Sequence, residues 1–78
     1  MPTYEQFYQD VKEQVKNRLA CFDLSDQELD DYLKKEESQI AGAYWDLTNP
    51  GDEAEGMTPE ANYKASVSTV AMCLEYCY

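Results

Sequence analysis

The chain has 78 residues, of which sixteen are Asp or Glu, six are Lys or Arg and none is His, so its formal net charge at pH 7 is -10. A chain of this length forms one domain at most, and a domain of this size has little room for a large internal active-site cavity. The negative charge argues against direct binding of DNA, RNA or anionic membranes, because all three are polyanions. Aromatic residues make up 13% of the sequence, which favours a folded domain over a disordered chain.

The first predicted element is a helix over residues 4–20. It begins after Thr3, and Gln6 follows three residues later in the pattern of a capping box. Apolar residues then recur at steps of three and four, which is the spacing of one helix face. These residues are Tyr4, Phe7, Tyr8, Val11, Val15, Leu19 and Phe22.

The second predicted helix covers residues 26–48. Ser25 and Glu28 form a capping box at its start, and Leu24 and Leu29 bracket that box as a hydrophobic staple. The predicted apolar face consists of Leu29, Tyr32, Leu33, Ile40, Ala43, Tyr44 and Leu47.

Three residues of this second helix leave alternatives open. Gly42 lies in the helix interior, where glycine costs about 1 kcal/mol relative to alanine, so the helix is either continuous or kinked near Gly42. Trp45 faces outward if the helix is continuous and folds back into the core if it breaks. Glu36 falls in the middle of the apolar face. Its side chain either turns outward, where it could hydrogen-bond a tyrosine, or stays recessed to meet an arginine of a partner.

An acidic loop is predicted for residues 49–57, because the Asn-Pro-Gly-Asp sequence at residues 49–52 ends the second helix. A third helix is then predicted over residues 59–77, with Thr58 as its N-cap and Pro59 at its first position. A strand over the β-branched run at residues 66–70 is the alternative.

The third helix carries two apolar stripes. The first, which we expect to face the core, consists of Tyr63, Val67, Val70, Leu74 and Cys77. The second and weaker stripe consists of Ala61, Ala65, Met72 and Tyr76. This second stripe either packs on another side of a central helix or forms a face for a dimer or a partner.

The charge imbalance lies in the middle of the chain. Residues 1–20 and 61–78 are each neutral, whereas residues 21–60 hold twelve acids and two lysines, a net charge of -10. Asp26, Asp30 and Glu37 fall in one narrow sector beside the apolar face of the second helix. Carboxylates four residues apart on a helix repeat at about 6 Å, which is the scale of the phosphate spacing in a nucleic acid. The pattern indicates either nucleic-acid mimicry or a solubilising surface.

The residues predicted to contact a partner are acids of this region together with one aromatic anchor, because Trp and Tyr supply many interface hot spots. They are Asp26, Asp30, Asp31, Glu37, Trp45, Asp46, Asp52, Glu53 and Glu55. The seven tyrosines exceed what so small a core is expected to hold, so we also expect exposed aromatic surface.

No motif for catalysis or metal binding is found. Without His, and without a nucleophile elbow or a phosphate-binding glycine loop, we expect no enzymatic activity and no cofactor. Cys73 and Cys77 could supply two thiolates, but a structural zinc site needs four ligands. We therefore expect the three cysteines, which include Cys21, to be small buried apolar residues.

The expected compartment is the cytoplasm. Residues 2–20 interleave polar and apolar types, unlike a signal peptide, and no stretch approaches the roughly 18–20 apolar residues of a membrane span. The three cysteines are then expected to be reduced thiols.

Taken together, these features predict a single small all-α domain of three helices over residues 1–78. Its short, acidic, tyrosine-rich profile is similar to that of small inhibitors encoded by phages and mobile elements, among them anti-CRISPR proteins and other DNA mimics. The similarity is one of composition and carries over no residue. The predicted function is a non-enzymatic inhibitor that docks on a basic, nucleic-acid-handling protein. The alternative is a helical adaptor that acts through homodimerisation or helix docking on its apolar stripes.

Overall fold

The computed structural model describes residues 2–49, 56 and 58–78. All regular structure in these ranges is helical, so the domain is all-α, as the sequence predicts. It comprises α1 (Tyr4–Arg18), a short 3-10 turn (Ala20–Phe22), α2 (Asp26–Lys35), α3 (Glu37–Thr48) and α4 (Pro59–Cys77). None of the helices in the described ranges is both long enough and apolar enough to cross a membrane.

The helices pack as a bundle in which α2 and α3 replace the single second helix that the sequence predicts. α1 and α4 form the main contact of the bundle, and α3 packs on both of them. α2 packs on α1 and adjoins α3. This arrangement leaves the outer faces of α3 and α4 without a covering element in the described part of the chain.

One apolar core runs through all four helices. Its residues recur at helical spacing in each element, so every helix buries one face and exposes the other. Burial contributes roughly 1.5–3 kcal/mol for each large apolar side chain, and no polar or charged residue among those described is buried. The core consists of Phe7, Val11, Val15, Leu19, Leu29, Leu33, Ile40, Leu47, Val67, Val70, Ala71 and Leu74.

α1 begins where the sequence predicts but ends two residues early. The Thr3 hydroxyl accepts a hydrogen bond of 3.2 Å from the Gln6 N–H. The Gln6 side chain does not complete a capping box, because it donates to Asp10 at 3.1 Å. Beyond Arg18 the chain enters the 3-10 turn. This turn carries Phe22 away from the predicted apolar face and leaves it 54% exposed.

The capping box predicted at the start of α2 is confirmed. The Ser25 hydroxyl accepts a hydrogen bond from the Glu28 N–H, and the Glu28 carboxylate accepts one from the Ser25 N–H, both at 3.2 Å. Leu24 and Leu29, the predicted staple, both pack on the core. Two of the free N–H groups at the start of the helix are thereby satisfied within one turn.

The predicted single helix over residues 26–48 is wrong, and with it the count of three helices. The chain breaks at Glu36, where φ is -103° and ψ is 19°, and α3 then runs without interruption through Gly42. A continuous helix would direct the Glu36 carboxylate towards the core, where an unpaired charge is costly. At the break this carboxylate is half-buried and accepts a hydrogen bond of 2.8 Å from Gln39 Nε2, rather than from a tyrosine.

α4 has the predicted bounds. The Thr58 hydroxyl accepts a hydrogen bond of 3.1 Å from the Ala61 N–H, and Pro59 occupies the first helical position. The alternative strand at residues 66–70 is wrong, because the helical spacing of Val67 and Val70 places both in the core and this packing overrides their strand propensity. Of the predicted acidic loop at residues 49–57, residues 50–55 and 57 lie outside the described residues.

The second stripe of α4 faces solvent. Ala61 and Ala65 are exposed, Met72 is 43% exposed and Tyr76 is 82% exposed. The alternative in which this stripe packs on a second side of the bundle is therefore wrong, because the contacts of α4 with α1 and α3 leave all four residues exposed, although Ala65 borders the groove between α3 and α4.

As expected, the core does not hold all seven tyrosines: five pack against it while only partly buried, and Tyr76 and Tyr78 are 82% and 48% exposed. A partly buried tyrosine can fill apolar space with its ring while its hydroxyl reaches a polar partner. The Tyr44 hydroxyl donates to the Pro2 carbonyl at 2.8 Å, and the Tyr63 hydroxyl donates to the Asp10 carboxylate. The five are Tyr4, Tyr8, Tyr32, Tyr44 and Tyr63.

Candidate binding surface

Two of the predicted contact acids on α2 are paired within the chain. Asp30 forms an ion pair of 2.6 Å with Lys12 of α1, and Asp26 forms one of 3.5 Å with Lys16. The hydrogen bond to Asp30 raises the pKa of the Lys12 ammonium group. Both acids lie beside the apolar face, as predicted, but α1 occupies that side and supplies the compensating charge.

The other two acids of this region point in different directions. Asp31 lies on the exposed face of α2, where its carboxylate accepts a hydrogen bond of 3.0 Å from Gln27 Nε2. Glu37 belongs to α3, and its carboxylate accepts a hydrogen bond of 3.3 Å from the Tyr4 hydroxyl. Although α2 and α3 are separate helices, Asp30 and Glu37 line one groove against α1, and Lys12 and Lys34 line it with them. The structure therefore keeps two acids of the predicted row together but places lysines beside them.

Trp45 is 66% exposed on α3, in agreement with the alternative in which it faces outward. It lines an open groove together with Tyr4, Ala41 and Tyr44, and the Glu37 carboxylate stands in the same groove. The rings of Tyr4 and Tyr44 meet edge to face, with centroids 5.4 Å apart. Two predicted contact residues, Trp45 and Glu37, are thus brought together in a groove with an aromatic side. We call this the Trp45 groove.

The electrostatics of the Trp45 groove are negative. Burial of the ring, and then the negative charge of Glu37, raise the pKa of the Tyr4 hydroxyl, so this tyrosine stays neutral and donates its proton to the carboxylate. No Lys or Arg lines the groove among the described residues. The exposed indole can bind a cationic side chain through a cation–π contact, and the carboxylate can bind one through an ion pair.

Asp46 lies on the other side of α3. It is exposed and lines a second groove, between α3 and α4, with Gly42, Ala65 and Cys73. Asp46 is the only charged residue lining this second groove among those described. The predicted contact residues Asp52, Glu53 and Glu55 lie outside the described residues.

The sequence analysis missed Tyr4, Ala41 and Tyr44 as parts of a groove. Ala41 could have been found, because it lies four residues after Glu37 and four before Trp45 and so shares their helix face. Tyr4 could not, because it enters from another helix 33 positions away along the chain.

The predicted burial of the cysteines is wrong. Cys21, Cys73 and Cys77 are all free and exposed. At the end of α4, the half-exposed ring of Tyr78 packs on Phe22 with centroids 4.8 Å apart, whereas Cys77 is exposed and does not continue the core-facing stripe. Within the described part of the chain, no group of three or more Cys, Asp or Glu side chains could hold a metal ion.

No family model, no curated protein and no solved structure matches this chain significantly.

Proposed function

We propose that this domain is a non-enzymatic binding protein that docks through its acidic surface on a basic, nucleic-acid-handling protein and blocks it. The observation that carries the proposal is the Trp45 groove, which an exposed indole and the Glu37 carboxylate both line, eight residues apart on α3. Cationic side chains of a partner, arginine above all, satisfy both groups, since a guanidinium group stacks on an aromatic face and pairs with a carboxylate.

The proposed contact surface is centred on α3. Asp26 and Asp30 contribute less than the sequence predicts, because Lys12 and Lys16 already neutralise them. The exposed pair of Asp26 and Lys16 is worth only about 0–1 kcal/mol, so a strongly basic partner could displace it, whereas Asp30 and Lys12 are partly buried. Asp31 and Asp46 remain exposed and add negative potential on either side of the central contact.

The direct test uses the only tryptophan of the chain, Trp45, as an intrinsic fluorescent reporter. We expect titration with an oligo-arginine peptide to change Trp45 emission, and oligo-glutamate to have no effect. Glu37→Gln should weaken the response several-fold, whereas Glu13→Gln, which removes the same charge from the exposed face of α1, should not. Raising the salt concentration should also weaken the fluorescence response, because the Debye length is already only about 8 Å at physiological ionic strength and shortens further as salt is added.

The inhibitory role needs a second experiment with a natural partner. The immobilised domain is used to capture proteins from cells, which are eluted with salt and assayed for nucleic-acid binding by gel shift. We expect the wild-type domain, added to these complexes, to displace the nucleic acid from the captured proteins. Trp45→Ala should abolish this release, and Tyr76→Ala, which alters an exposed aromatic residue on another helix, should preserve it. Captured proteins that keep their nucleic acid in the presence of the domain would contradict inhibition by mimicry.

A further inference from the structure

The outer face of α4 carries exposed apolar residues, and none of the helices in the described ranges covers it. It includes two large side chains, Met72 and Tyr76, which are 43% and 82% exposed, and it borders the groove between α3 and α4 at Ala65. The small residues Ala61 and Ala65 precede them on the same face and are also exposed. Several exposed apolar residues on one helix face mark an interaction site more often than an isolated exposed side chain does.

Large and small residues on this face are placed symmetrically about the middle of α4. Ala61 and Tyr76 are equally far from the midpoint between residues 68 and 69, and so are Ala65 and Met72. A helix with this order is complementary in shape to a second copy of itself that runs in the opposite direction. In such a pair, each Tyr76 lies over the partner copy's Ala61, and each Met72 lies over its Ala65.

We propose that two copies of this chain associate through the outer faces of their α4 helices, antiparallel about a twofold axis near residues 68–69. The two small residues let the helix axes approach to the usual 8–10 Å or so, and the two large residues fill the space on either side. The contact is isologous, because each copy contributes the same surface. This surface is separate from the Trp45 groove, so the inference does not depend on the proposed function.

Charge favours this face over the acidic middle of the chain. Residues 21–60 carry the whole net charge of -10, so two copies repel each other wherever these regions meet, whereas residues 61–78 are neutral. In the antiparallel pair, Lys64 of one copy lies within about 3 Å, measured along the helix axis, of Glu75 of the other. The exposed Lys64 side chain thereby gains a second acidic neighbour.

The expected association is weak and becomes stronger with salt. One face of a single helix buries less than the roughly 1,200 Å² at which stable interfaces begin, so the dimer should populate at micromolar to millimolar protein concentrations. Added salt screens the repulsion between the two acidic bodies, since the Debye length falls to about 3 Å at 1 M ionic strength. This salt dependence has the opposite sign to that expected for binding of a basic partner.

Analytical ultracentrifugation over a range of protein and salt concentrations tests the proposal. We expect a monomer–dimer equilibrium that shifts towards dimer as salt is added. Tyr76→Ala and Ala65→Glu should each weaken dimerisation at least tenfold, and Trp45→Ala, on the other surface, should leave it unchanged. Circular dichroism will show whether each variant keeps its fold, as the exposure of these residues predicts. A wild-type chain that stays monomeric at millimolar concentration in high salt would overturn the proposal, as would dimerisation that Tyr76→Ala and Ala65→Glu leave unaltered.

The register is tested by cross-linking. In a chain whose three cysteines are replaced by serine, Thr69→Cys places a thiol next to the proposed axis, where two Cα atoms can come within the roughly 4.4–6.8 Å that a disulfide spans. Glu13→Cys in the same background places an exposed thiol on α1 as the matched control. We expect a disulfide-linked dimer from Thr69→Cys under mild oxidation. Equal cross-linking of the two variants, or none from Thr69→Cys, would contradict the register.

Discussion

The Tyr32 hydroxyl, on α2, donates a hydrogen bond of 2.7 Å to the main-chain carbonyl of Leu74, on α4. The last four carbonyls of a helix lack intrahelical partners. The Tyr78 N–H, which would serve the Leu74 carbonyl in a longer helix, bonds to the Glu75 carbonyl at 3.3 Å instead. Tyr32 therefore caps the end of α4 from a different helix and ties the two helices together.

Tyr32→Phe removes this hydrogen bond and leaves the ring in place against Tyr78, 5.2 Å away between centroids. We expect the free energy of unfolding to fall by about 1 kcal/mol, the usual net worth of one such bond, measured by urea denaturation. Tyr76→Phe is the control, because its side chain is 82% exposed and its hydroxyl loss should cost nothing measurable. Equal stability of the two variants would show that the cap contributes nothing.

The contact between Tyr63 and Asp10 predicts a loss of stability at alkaline pH. Burial of the ring, followed by the hydrogen bond to the Asp10 carboxylate, raises the pKa of Tyr63 from 10.0 to about 12. Between these values the unfolded chain loses this proton while the folded chain keeps it. The contribution of Tyr63 is therefore complete below pH 10 and is lost as the pH rises towards 12.

Tyr63→Phe should reduce the fall in the free energy of unfolding between pH 10 and pH 12. The measurement is the free energy of unfolding in urea at several pH values between 9 and 12, compared with the wild-type chain under the same conditions. Burial also raises the pKa of Tyr4, Tyr8 and Tyr32, so these residues contribute to the loss of stability in both chains. The contribution of Tyr63 is therefore the difference in the free energy of unfolding between the wild-type and Tyr63→Phe chains at each pH. A Tyr63→Phe chain with an unchanged decline would rule out Tyr63 as a contributor.

The capping box of α2 provides a local test. Ser25→Ala removes the hydroxyl that accepts the hydrogen bond from the Glu28 N–H, and the loss of such an N-cap costs about 1 kcal/mol. Ser38→Ala makes the same change at an exposed position of α3, where no side chain caps the helix start, and should be neutral or slightly stabilising, because alanine is the better helix former. Thermal unfolding followed by circular dichroism compares the two variants, and a Ser25→Ala midpoint equal to that of Ser38→Ala would contradict the role of the box.

The features that sequence could predict are those determined by neighbouring residues. The caps at Ser25 and Thr58, the bounds of α4 and the amphipathic spacing of the core all depend on positions within one or two turns of each other. Glycine propensity indicates Gly42 as the place for a kink, but the break lies at Glu36, where a continuous helix would direct a charged side chain into the core. A local preference of about 1 kcal/mol is smaller than the cost of burying an unpaired charge.

The candidate surface was only partly predictable for a related reason. Helix phase alone places Trp45 outward and Asp26 and Asp30 beside the apolar face, and the structure agrees on both points. Which neighbouring helix lies on that side is a matter of tertiary packing. α1 brings Lys12 and Lys16 there, so the acids with the clearest pattern in the sequence are the ones most fully compensated in the fold.

The two described glycines predict opposite outcomes for the same substitution. Gly42 lies in the interior of α3 with helical backbone, and a Cβ added there would meet nothing within 4 Å. Gly42→Ala should therefore raise the free energy of unfolding by about 0.5–1 kcal/mol, because alanine gives up less backbone entropy on folding.

Gly56 also has open space around it, but its φ is +90°. Gly56→Ala should lower the stability, because a side chain disfavours that backbone conformation. Urea denaturation measures the change in the free energy of unfolding for each variant. Because a Cβ has room at both positions, a difference between the two changes reports the backbone conformation alone. Stabilisation by both substitutions would contradict the left-handed backbone at Gly56.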